Sequence, residues 1–166
     1  GSLKIQGSKD IAMFGRLGAS YGSRAETLSL LESLLDIGKM VNSMTIEEIL
    51  DLNIADQLEL QAQDIIALGK VANDDMPLVI ETNRAVDILQ ALAMKQKYGL
   101  NLVLVSVEEA PMVLDQIKAS NTPVIIDPMD NIPNSFDELG SSLDLGKMLD
   151  QAGIPIMFST QRSHNY

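Results

Sequence analysis

The residue types that do chemistry stand in a few short polar stretches: Glu81-Thr82-Asn83-Arg84, Ser106-Val107-Glu108-Glu109, Asp127-Pro128, Ser159-Thr160-Gln161 and, in the tail, His164. Glu81, Asn83 and Arg84 can form a polar cluster that faces a ligand. Equally, Asn83 can cap a helix while Arg84 pairs with Glu81 or another acid. Asp127 can orient a substrate, or form a turn before Pro128. Glu108 and Glu109 suit the first turn of a helix, where carboxylates meet the positive end of the dipole. His164 reads as a ligand contact or as an exposed tail residue. There is no Cys, which excludes disulfides, thiolate catalysis and Cys-based zinc sites. A single His cannot build an imidazole-rich zinc centre, which needs two or three. The candidate pocket is therefore Glu81, Asn83, Arg84, Ser106, Asp127, Gln161 and His164, with no catalytic residue assigned and no metal site expected within the chain.

Four apolar runs must position these groups: Leu78-Val79-Ile80, Leu102-Val103-Leu104-Val105, Val124-Ile125-Ile126 and Ile154-Pro155-Ile156-Met157-Phe158. Each is too short for a buried helix, rich in Val and Ile, and bounded by Pro, Asn or Gly. Strands covered on both faces read this way. The intervening segments carry helical periodicity, so strands and helices alternate and the strands are parallel, joined by right-handed crossovers. In this class ligands sit beyond the carboxyl ends of the strands, where the polar stretches lie. Asn83 caps a helix reaching Tyr98 and stopped by Gly99. Pro111 lies in the first turn of a helix ending near Ala119. A helix from about Ser135 or Phe136 runs to Ala152, closed by Gly153. The strands begin near 78, 102, 123 and 154, against ~31 residues per unit of an eightfold βα barrel. About half a barrel is expected, an α/β fold of some four parallel strands.

Upstream, residues 1–10 read as a tag remnant and frayed start, with Gly1-Ser2 as the scar. Ile11 to Phe14 suits a short strand. Gly15, Gly18 and Gly22 punctuate a connecting loop, without the spacing of a dinucleotide or phosphate-binding loop. Ser23-Arg24-Ala25-Glu26 is a capping box opening a helix to about Asn42, and Thr45-Ile46-Glu47-Glu48 opens a second, short one. A third runs from Ile54 to Val71. The expected organisation is 1–10 as the start, 11–76 as a helical insertion segment, and 77–166 as the βα half-barrel.

At 166 residues the chain suits one domain with a sizeable core. Its 46% hydrophobic and 21% charged residues are those of a soluble globular protein. A net charge of −11 with scattered basic residues argues against nucleic acid and anionic membranes. No apolar run approaches the ~18 residues of a membrane span, and no signal peptide is visible. A bacterial cytoplasm or periplasm is expected. The 9 Met residues sit at core spacings and read as packing.

Ile80-Glu81-Thr82-Asn83-Arg84-Ala85-Val86-Asp87-Ile88-Leu89 and Tyr98-Gly99-Leu100-Asn101-Leu102-Val103-Leu104 resemble the amidohydrolase superfamily, in its imidazolonepropionase-like branch. Thr122 to Pro128, Asn131 to Asp137, Ala152 to Ile156, Ser163-His164-Asn165 and Gly22 to Glu26 are similar to it as well. The resemblance implies a metal-bearing (β/α)8 barrel that hydrolyses C–N bonds, often in cyclic amides, with zinc possible. It aligns this chain with the helices before the fifth strand through the eighth strand. The family's ligands there are His, His and Asp; this sequence has Glu81, about Ser106, and Gln161 after Thr160. Glu81 can still hold a metal, but Ser and Gln are poor replacements, and Gln161 cannot act as a general base.

The resemblance thus implies an amidohydrolase-like fragment with impaired or absent hydrolysis. The alternative is a metal-free barrel that binds a small molecule or serves as a subunit scaffold. Half a barrel exposes two strand edges and an apolar interior, a template for association. A dimer, pairing with the missing half, or an open sheet covered by the N-terminal helices is expected.

Overall fold

The computed structural model describes residues 11–17, 23–51, 60–128 and 139–159. Among them is one parallel sheet of five strands in sequence order: β1 (Met13–Arg16), β2 (Leu78–Thr82), β3 (Leu102–Ser106), β4 (Val124–Ile126) and β5 (Ile156–Phe158). Consecutive parallel neighbours joined by helical crossovers are the barrel pattern, here in part. The fifth strand beyond the four strongest apolar runs is β1, whose short, glycine-containing sequence marks it weakly.

Helices cover one face. They are α1 (Arg24–Val41), α2 (Ile46–Asp51), α3 (Ala62–Ala72), α4 (Ala85–Tyr98), α5 (Leu114–Ala119) and α6 (Leu145–Ala152), with a 3-10 turn at Ala110–Met112. Leu78, Ile80, Leu102, Leu104, Val124 and Ile126 point toward them and are at most 4% exposed. They share one core with Leu35 of α1, Val71 of α3, Ile88 of α4 and Leu149 of α6. α1 and α3 cross at glycine: a Cβ on Gly38 would stand 2.5 Å from the Leu68 carbonyl oxygen. Both lie on the same side as α4, because Tyr98 of α4 donates to Asp36 of α1 at 2.9 Å and Arg24 pairs with Asp87 at 3.4 Å. Among the described residues, α1 and α3 therefore do not cover the other face of the sheet.

Both capping boxes form. Ser23 N–H donates to Glu26 Oε2 at 2.8 Å, and Thr45 N–H to Glu48 Oε2 at 2.7 Å. The Ser23 bonds, backbone N–H first and hydroxyl second, hold the Glu26 carboxyl below its usual range. Gly99 and Gly153 close α4 and α6 at φ 71° and 75°, as the left-handed caps require.

Three helix boundaries differ from the sequence expectation. α3 begins at Ala62, because Gln61 is its extended N-cap, with its N–H held by Asp64 at 3.0 Å; residues 52–59 lie outside the described chain. The helix after β3 breaks at Val113, whose φ of −139° separates the Pro111 turn from α5. α6 starts only at Leu145, after turns at residues 139–144 in which Ser142 Oγ accepts from Asp144 N–H. Gly140 in that turn lies against the backbone of Glu108, where a Cβ would come within 3.0 Å of its carbonyl oxygen.

Candidate functional site

Parallel register sets the rim at the carboxyl ends of the strands. Arg16 is level with Glu81, Glu81 with Val105, Val105 with Ile125, and Ile125 with Met157. These side chains point away from the helices, toward what a closed barrel would enclose. The residues that follow, Asn83, Ser106, Asp127 and Ser159, surround this row. The sheet so brings Glu81, Asn83, Arg84, Ser106 and Asp127 to one end. Gln161 and His164 lie outside the described residues, as do Thr160 and 131–137.

Glu81 is engaged by a partner the sequence does not announce. Arg16, the last residue of β1, donates from Nη2 to Glu81 Oε2 at 2.7 Å. Arg16 is the site residue missed from sequence, since its only signal is a short strand in register with Glu81. A charge-assisted bond of this length engages Oε2 and sets a positive charge beside the carboxylate, which disfavours a second cation there.

Asn83 does not cap α4, contrary to the expectation. Arg84 takes the N-cap position with extended backbone. The acceptor for the first helical N–H comes from the next βα loop, where Glu109 Oε2 accepts from Ala85 N–H at 2.8 Å. In return, Asn83's carbonyl accepts from Glu109 N–H at 2.8 Å, and Thr82's from Val107 N–H at 2.9 Å. Glu109 thus serves the helix before its own, and Glu108 is buried beside it at 5% exposure. The side-chain oxygens Thr82 Oγ1 and Asn83 Oδ1 are buried without a hydrogen bond.

The loop that makes these bonds is strained. Ser106 and Val107 have φ of 76° and 60°, a region non-glycine residues avoid and a β-branched residue more so. Two such residues in succession at a strand end mark a backbone held by its surroundings. Here the surroundings are the Thr82 and Asn83 carbonyls and the buried Val107 side chain.

The described residues do not match the metal-ligand set that the resemblance in sequence implies. Ser106 offers no anionic ligand, Glu81 is paired with Arg16, and no group of three His, Cys, Asp or Glu suited to a metal exists among the described residues. A cavity of about 830 Å³ lies elsewhere, lined by Leu89, Lys95, Gly99, Leu100 and Ser120 at the amino ends of the strands. In this class that end supports stability, so the rim is the better candidate.

A crystal structure of an amidohydrolase from Thermotoga maritima MSB8 superposes with a TM-score of 0.71 at 15% identity, over 89% of this chain and 40% of that one. The fold is amidohydrolase-like. This chain spans 40% of the length of that amidohydrolase, as a partial barrel does. No family model matches the chain, and neither does any curated protein.

Proposed function

We propose that this chain is an amidohydrolase-like half-barrel whose hydrolytic site is impaired. The resemblance in sequence supports the imidazolonepropionase-like branch as its origin. In that reading the ancestral chemistry is metal-dependent hydrolysis of a non-peptide, often cyclic, C–N bond. The observation that carries the impairment is the Arg16–Glu81 pair at 2.7 Å, which puts a cation beside the carboxylate that a metal would need. Ser106 and Gln161 stand at the other two expected positions, and neither supplies an anionic ligand or a base. The test is hydrolysis of a panel of cyclic amides with and without added zinc. Turnover that depends on zinc and is lost in Glu81→Gln would refute the impairment.

A second reading, binding of a small polar molecule without hydrolysis, is supported by the strained Ser106–Val107 turn. Strain retained at a strand end is characteristic of ligand-holding loops. Arg16, Asn83 and Asp127 would supply the polar contacts. Ligand-induced shifts in thermal unfolding across a carboxylate and amide library test it, and shifts that persist unchanged in Arg16→Ala would count against this site.

A further inference from the structure

A parallel sheet occurs almost only with both faces covered, yet among the described residues helices cover one face. On the other face Phe14 is 62% and Met157 is 47% exposed, Val79, Val103 and Ile125 between them are half-buried, and Val105 at the centre is buried. These residues lie on successive strands and make one apolar face. At its two sides, β1 and β5 each pair with a single neighbour among the described residues. Unpaired edges beside an apolar face are a template for another chain.

Charge and direction favour one occupant. A chain of net charge −11 repels its own copies unless the surfaces that meet are neutral. On this face the charged residues of the strands are Arg16 and Glu81, and they neutralise each other. All five strands also run the same way. A two-fold axis along the strands therefore sets β5 of one copy beside β1 of the other in parallel, twice over. One symmetric contact then satisfies both edges and buries both apolar faces.

We propose that the apolar face of the sheet docks on a second copy of this chain, face to face, with β1 of each copy beside β5 of the other. The inference rests on the fold and is independent of the hydrolytic reading.

Sedimentation of the purified chain across a dilution series tests it. The expected species has twice the 18.0 kDa of one chain. Val103→Asp, in the middle of the face, and Phe14→Asp, at its exposed margin, are each expected to give monomer with a native circular dichroism spectrum. Leu30→Asp, on the exposed side of α1, leaves the dimer intact. Phe14→Asp keeps the test decisive if Val103→Asp fails to fold. Because the chain has no Cys, the double variant Phe14→Cys with Met157→Cys reports the edge arrangement. Within one copy β1 and β5 are four strand spacings apart, roughly 19 Å, so oxidation is expected to join two copies. A monomeric wild-type chain, an open-ended assembly, a dimer that survives both Asp variants, or no crosslink would each overturn the proposal.

Discussion

Removing the Glu109 carboxylate leaves the Ala85 amide at the start of α4 without its acceptor. Glu109→Ala is expected to lower stability by about 1 kcal/mol, the usual cost of a lost N-terminal cap, measured by denaturant unfolding. Ser106→Gly works in the opposite direction. A positive φ costs a non-glycine residue about 1–2 kcal/mol, and the entropy of glycine about 0.5–1 kcal/mol, so the variant is expected to gain roughly 0.5–1 kcal/mol. Loss of stability instead would mean that the Ser106 side chain holds the turn. Sequence reading reached Glu81, Asn83 and Ser106 because strand ends in an alternating pattern are recognisable from composition. It missed Arg16 and the role of Glu109 because both depend on register and on which loop crosses which helix. Asn83 beside a helix start has the residue type of a cap, and only the backbone shows that Arg84 occupies that position.

The helices test packing more than chemistry. Gly38→Ala pushes a methyl group into the Leu68 carbonyl and the Ala72 side chain at the crossing of α1 and α3. An overpacking cost of about 1–3 kcal/mol is expected, whereas Gly15→Ala, with open space around it, should be near neutral. Thermal unfolding of the two variants side by side makes the comparison. Lys95 in α4 staples the turn after α5, donating from Nζ to Ser120 O at 2.9 Å and to Thr122 Oγ1 at 3.0 Å. Burial holds its ammonium below the ordinary 10.5, with Asp74 opposing. The folded chain therefore binds this proton less tightly than the unfolded one. Stability from this group rises as pH climbs toward 10.5 and levels off above it. Lys95→Ala should remove that rise, and at neutral pH should cost about 1–2 kcal/mol through the lost hydrogen bonds; unfolding free energies at a series of alkaline pH values check both. Both N-terminal capping boxes and both glycine stops were legible in the sequence, since each is a local pattern of two or three residues. The late start of α6 and the break at Val113 were not, because helical periodicity continues through turns fixed by Gly140 and by backbone torsion.

At the level of the whole molecule, βα alternation announced a parallel sheet and the barrel class, and the structure bears that out in five strands. What alternation could not convey is which side the N-terminal helices take. Their apolar stripes fit either face, and the Tyr98–Asp36 and Arg24–Asp87 contacts decide it. The outcome is a barrel segment with its rim in place and a cation, Arg16, built into it. Elemental analysis for zinc, iron and manganese, on protein purified without chelator and then incubated with zinc and dialysed, tests that account most directly. Less than about a tenth of a metal per chain is expected, with a rise in Arg16→Ala, where the Glu81 carboxylate is released from its cation. Near one metal per chain, reduced by Glu81→Gln, would contradict it and restore Glu81 as a ligand.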